Sequence, residues 1–223
     1  EFLRNLAMIK KAAAITNSHT GDLSSEKATA IERTCDEIIA GYMKDAFIVD
    51  PIQGGAGTSA NMNMNEVIAH RASEILGGIK SEYTVHPNDD VNMGQSTNDT
   101  IPTAGRMTVL TLSKPMLSEL GRLYRALEEK AYEFRDVIKM GRTQLQDAVP
   151  MTLGHTFHAY ATMVKRSAKR IEKSLDEMKS VNMGGTAIGS CINASPYYVE
   201  NIVPVLSKVS GLPLVQADDL ISL

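Results

Sequence analysis

Residues 155–181, HTFHAYATMVKRSAKRIEKSLDEMKSV, carry Phe157, Tyr160, Val164, Ala168, Ile171, Leu175 and Met178 at spacings of three or four. That interval keeps apolar side chains on one stripe of an α-helix and repeats like a heptad seam. Lys165-Arg166 and Lys169-Arg170 then fall on its solvated face. At 1.5 Å per residue, some 25 residues reach roughly 37 Å. A helix this long with one continuous seam needs long helical neighbours. A bundle is expected, completed in part by other subunits.

Outward from this segment, helical periodicity dominates. Residues 24–43 set Ile31, Cys35, Ile38, Ile39 and Tyr42 on one face. A shorter helix is expected from Asn65 to Leu76. Another, from Met107 to Phe134, carries Leu110, Leu117, Leu120, Tyr124, Leu127, Ala131 and Phe134, and Pro115 predicts a kink or break within it. Strand signals are thin. Thr143 to Leu153 alternate only partly and contain Pro150, which predicts a short hairpin or an extended arm. The fold class is therefore mainly all-α. A boundary near Thr100-Ile101-Pro102 divides an N-terminal domain, 1–100, from a helical domain, 101–223. The chain opens directly on helical pattern at Glu1-Phe2-Leu3-Arg4, and residues 217–223 stop where a further helix is expected to begin.

Composition excludes several classes. A net charge of −3, with Lys and Arg scattered, gives no electrostatic reason to expect nucleic acid or an anionic membrane. Four Phe, seven Tyr and no Trp offer no stacking platform for bases. No apolar run approaches the roughly 20 residues needed to span a bilayer, and no secretory signal opens the chain. Cys35 and Cys191 lie far apart outside any CxxC pattern, so no disulfide framework is expected and a cytoplasmic location follows. No metal site is expected either. His155 and His158 lack a third ligand, and His86-Pro87-Asn88-Asp89-Asp90 are residues that cap and turn a loop well.

Four loops rich in Gly, Thr, Ser and Asn separate the helices: 53–63, 86–100, 139–147 and 182–195. The first belongs to GGAGTSANMNMNEV at 54–67, with three glycines in four residues and amides at every second position thereafter. Glycines let backbone N–H groups converge on an anion, and a following helix adds the positive end of its dipole. A glycine turn with a simple helix cap explains the same residues. The second loop sets Ser96, Thr97 and Asn98 in a row before Pro102. One of them suffices as a cap, while all three together could hold a carboxylate through hydroxyls and an amine through the Asn oxygen. The third offers Thr143, Gln144 and Gln146 beside Arg142, which an exposed polar hairpin also explains. The fourth, MGGTAIGSCIN at 183–193, either contacts a ligand or lets backbone pass close to a packed neighbour.

Taken together and in this order, GGAGTSANMNMNEV, HPNDDVNMGQSTNDTIPTA (86–104), KMGRTQLQDAVPMTLG (139–154) and MGGTAIGSCIN resemble the aspartase/fumarase superfamily of lyases. The resemblance runs from about residue 2 to 223. Within it, Ala56 with Thr58-Ser59 and the stretch Lys139–Asp147 look like the aspartase branch. Fumarases usually carry a longer GSGTQS, and fumarases and some aspartases usually have a His at the position of Gln144, where the amide removes a titratable group.

The resemblance implies a small N-terminal helical domain followed by the first part of a long central helix bundle. It implies a homotetramer with active sites built from three subunits, acting on a small dicarboxylate without a cofactor. The implied reaction is anti elimination of ammonia from L-aspartate to give fumarate. Charge then builds on the carboxylate beside Cβ, which needs donors that bind more strongly in the transition state. Thr58, Ser96 and Thr97 are implied to hold that carboxylate and Asn98 the amino group. Thr143 is implied at the other carboxylate and Gln144 near the departing amine. The family's base is a Ser on a loop with a GSSxMPxKxN signature, which nothing in these 223 residues matches. The chain is thus expected to be about the first half of a subunit, inactive alone. A second effector site near His86, Asn88 and Asp89 is a further implication. Fumarate hydratase and a non-catalytic helical assembly protein, as in eye-lens crystallins, stand as alternatives.

Overall fold

The computed structural model describes residues 1–52, 54–78 and 83–222 and is mainly α-helical, as the periodicity predicts. It forms two compact units: residues Glu1–Thr111 with Met178–Leu223, and residues Leu112–Glu177.

In the first unit, α1 (Phe2–Thr20) packs on α2 (Ser25–Ile39), and α2 on α3 (Thr58–Ile75). Gly21, at φ 81°, ends α1, and the Ser24 side chain caps α2 by accepting from Lys27 N. Leu6, Ile9, Ile31, Ile38 and Ile68 are buried, and Cys35 lies among the core residues as a small hydrophobe. A π-helical stretch, Pro87–Val91, leads to α4 (Thr97–Glu133), whose first turns belong to this unit. The short parallel pair β3 (Ser180–Val181) and β4 (Val215–Gln216) brackets α6 (Pro196–Ser210), which packs on α1. Residues 217–222 are not helical, contrary to the expectation for that stretch.

Several helix boundaries differ from the sequence reading: α4 starts at Thr97, ten positions before the expected Met107, where Ser96 and Asp99 cap it reciprocally. Helix α3 starts at Thr58, seven positions before the expected Asn65, because Gly57 takes φ 85° at its N-cap. A Cβ on Gly57 would lie 2.9 Å from the Ile101 side chain, so the turn needs glycine on both counts. The amides at 61, 63 and 65 are therefore helical. Asn61 and Asn65 share one buried face, while Asn63 turns away and donates to the Ala46 carbonyl at 3.1 Å. Helix α4 runs through Pro115 without a break. Proline removes one hydrogen bond from the helix, and Pro115 lies at an exposed position.

The second unit holds the rest of α4, then the antiparallel hairpin β1 (Ile138–Thr143) and β2 (Gln146–Thr152), then α5 (Leu153–Glu177). Of the two forms expected for 143–153, the hairpin is the one found. Phe134 and Phe157 stack at 5.5 Å between ring centres, and Glu128 meets His158 Nδ1 at 2.9 Å. Gly154 lets α5 approach α4 closely, since a Cβ there would sit 2.5 Å from the Ala131 carbonyl oxygen. Within α5 only Gly154 and Ala161 are buried. The large residues of the seam are half-buried or exposed, Tyr160 at 50%.

Candidate active site

The N-terminus of α4 gathers three of the side chains singled out from sequence. Ser96 Oγ accepts from Asn98 N at 3.2 Å, while Ser96 N donates to Asp99 Oδ1 at 2.9 Å, a reciprocal cap. The other Asp99 oxygen accepts from Thr186 N at 3.0 Å. Asn98 Nδ2 donates to the Ala187 carbonyl at 2.7 Å, and Asn182 Nδ2 to the Asn98 carbonyl at 3.2 Å. The glycine-dense loop after β3 is thus laced to the start of α4. With its nitrogen engaged, exposed Asn98 presents Oδ1, which suits an ammonium group.

Beneath this terminus lies a buried polar network. Lys10 Nζ donates to Asn92 Oδ1 and Gln95 Oε1, both at 2.9 Å. Asn92 Oδ1 also accepts from Asn65 at 3.1 Å and from Asn61 at 3.2 Å. Asn61 Nδ2 lies 3.3 Å from Thr97 Oγ1. Burial lowers the Lys10 pKa to about 7, against the pull of Asp99. Burial raises Asp99 to about 6, opposed by hydrogen bonds from the backbone of Ser96 and Thr186 and by the charge of Lys10. Asp99, Asn61 and Asn65 are all buried.

Thr58 is the first residue of α3. Exposed, it donates its hydroxyl to the Gly55 carbonyl at 3.0 Å and so braces the glycine turn, while Gly57 takes the N-cap position with no side-chain cap. Thr143 and Gln144 belong to the second unit. Thr143 pairs with Gln146 across a two-residue turn in which Gln144 and Leu145 take φ 49° and 63°. His86 Nδ1 accepts from Asp89 N at 3.2 Å, and buried Asp90 takes Lys27 Nζ and His86 N, each at 2.7 Å, so these residues cap and brace a turn. Among the described residues no cluster of His, Cys, Asp or Glu could hold a metal ion, and no helix is long and apolar enough to cross a membrane.

Sequence reading missed Lys10, Asn61, Asn65, Asn92, Gln95 and Asp99. Lys10 did leave a signal, since it sits on the buried face of α1 four residues after Leu6 and three before Ala13, where solvation is impossible. Asn61 and Asn65, at i and i+4, left another once α3 is extended back to Thr58.

The family model described as Lyase matches residues 2–222, so the chain belongs to that lyase family. More particularly, it is similar to the aspartate ammonia-lyase of Bacillus subtilis, with 49% identity over 222 residues, 99% of this chain and 47% of that one. Among solved structures, a Brucella melitensis protein described as fumarate lyase:delta crystallin bound to cobalt superposes with a TM-score of 0.93 at 50% identity. The match covers 99% of this chain and 48% of that one. A class II fumarase from Schistosoma mansoni gives a TM-score of 0.89 at 35% identity, over 98% of this chain and 49% of that one. The chain spans about half the length of the curated relatives it matches.

Proposed function

We propose that this chain supplies the part of an aspartate ammonia-lyase that grips the reacting carboxylate. The reaction is anti elimination of ammonia from L-aspartate to give fumarate. One observation carries the reading: at the α4 terminus Ser96 and Thr97 each keep a hydroxyl hydrogen to give, while Asn98 keeps an oxygen. Removal of the proton at Cβ moves charge onto the adjacent carboxylate. Two hydroxyl donors at the positive end of a 37-residue helix favour that charged form over the ground state. In this reading the Thr58 hydroxyl turns from the Gly55 carbonyl to become a third donor to the same carboxylate, and Asn98 Oδ1 accepts from the ammonium. Thr143 binds the second carboxylate and Gln144 lies near the departing amine. The base acts from a serine loop outside these residues, and no cofactor takes part. Half-exposed apolar residues along α5 support a homotetramer, and the unpaired, buried Cys35 fits a cytoplasmic enzyme.

Fumarate hydratase is the second reading, favoured by the likeness to the Schistosoma mansoni fumarase. Gln144 speaks against it, because an amide cannot relay a proton as a His would. The test joins residues 1–222 to the remaining half of the Bacillus subtilis relative and follows fumarate's ultraviolet absorbance. Loss of fumarate only with ammonium is expected, and loss without it would move the assignment to the hydratase. No loss from a folded, assembled chimera would overturn both and leave a helical assembly protein. The 223 residues alone are expected to leave fumarate unchanged.

A further inference from the structure

We infer that Asn61 is a positioning residue that fixes the Thr97 hydroxyl as a hydrogen donor toward the substrate carboxylate. The inference rests on the proposed role of Thr97. It goes beyond that role by naming what orients the hydroxyl and by assigning a task to the buried amides around Lys10.

The orientation follows from partners that cannot reverse. Gln95 Nε2 faces the carbonyls of Val91 and Met93, at 3.0 and 3.2 Å, and carbonyls only accept. Its Oε1 therefore faces Lys10 Nζ. Asn92 Nδ2 faces the Gln95 carbonyl at 3.3 Å, so Asn92 Oδ1 is the atom turned to Lys10, Asn61 and Asn65. An oxygen in front of Asn61 demands its amide nitrogen there. That same nitrogen is the one within 3.3 Å of Thr97 Oγ1. The two hydrogens of Asn61 Nδ2 thus go to Asn92 and Thr97, and the Thr97 oxygen must accept. Its one hydrogen is then left to give, and among the described residues no hydrogen bond takes it. Were Asn61 reversed, its oxygen would draw the Thr97 hydrogen inward, away from a ligand.

Lys10 underwrites the arrangement. Its Nζ supplies two of the fixed contacts, and burial denies it water as an alternative partner. Asn61 touches no reacting atom in this scheme and acts through Thr97.

A double-mutant cycle in the chimera separates this role from a merely structural one. Thr97→Val is expected to lower kcat/KM by about a hundredfold, as loss of a donor to a developing oxyanion does. Asn61→Ala is expected to lower it about tenfold, mainly in kcat, in the parent. In the Thr97→Val background Asn61→Ala should change it by less than about twofold, and equal losses in the two backgrounds would overturn the proposal. If Asn61→Ala fails to fold, the near-isosteric Asn61→Asp carries the same cycle. A second readout needs no turnover: in this 223-residue chain, Thr97→Val should move one side-chain amide proton resonance of Asn61 and leave its geminal partner in place. If neither moves, the proposal falls. A shift seen beside an inactive chimera would fault the lyase reading and leave the orientation of Thr97 standing.

Discussion

Lys10 places an ammonium among side-chain carbonyls where water does not reach, and its acidity follows from that. In the folded protein it releases its proton near pH 7, while the unfolded chain holds one up to about 10.5. Between those values the unfolded state binds more protons, so stability rises with pH. Asp99 acts in the opposite sense but lower down: with its folded pKa raised to about 6, stability is lost as pH climbs from about 4 to 6. Burial pushes the Cys35 thiol well above its usual range, which costs stability only above about pH 9. From pH 7 to 8.5, urea unfolding should therefore show a gain of about 1–2 kcal/mol, and Lys10→Met should flatten it. A gain that persists in the variant would show that other groups cause it. At the hairpin tip, Leu145 is 99% exposed and takes φ 63°, a conformation that strains any residue with a Cβ. Leu145→Gly removes that strain and no packing, so a stabilisation of about 1 kcal/mol is expected in denaturant titration.

Among the elements, α3 shows how a buried polar face hides a helix. Residues 58–64 look like loop because their amides and hydroxyls interrupt the apolar stripe. They form helix because Asn61 and Asn65 find partners on the chain just before α4 and at its first residue. Residues 97–106 of α4 were hidden in the same way, while the rest of α4 and all of α5 pose no such difficulty, since their apolar residues recur at helical spacing. Their close approach within the second unit depends on Gly154. Gly154→Ala would drive a Cβ into the Ala131 carbonyl at 2.5 Å and the Arg135 Cα at 2.8 Å, backbone atoms that cannot swing aside. The expected cost is about 2–3 kcal/mol, read as a lowered midpoint of thermal unfolding.

For the whole molecule, the unsatisfied surface is the apolar face of α5. A 25-residue helix with two buried residues is stable only if something else covers its seam. Copies of the same chain are the proposed cover. Tyr160 and Met163, 50% and 53% exposed, test this. Tyr160→Asp with Met163→Asp should cost the isolated unit little, because neither side chain is fully buried there. The pair should nonetheless reduce the sedimenting mass of the assembly. An unchanged mass would show that this face does not join subunits.

The sequence by itself determined the helical class and the membership of a lyase family, and narrowed 143–153 to a hairpin or an extended arm. These rest on local physics: the 3.6-residue repeat, the conformational needs of glycine, and motifs that stay contiguous along the chain. Ser96, Thr97 and Asn98 were legible for the same reason, being consecutive at one helix start. Only the tertiary structure decided what stands behind them. Lys10 and Asn92 are 82 residues apart in sequence, and Thr97 lies 36 beyond Asn61. A buried amide or ammonium is explained by its partner, and periodicity carries no record of a partner that far away.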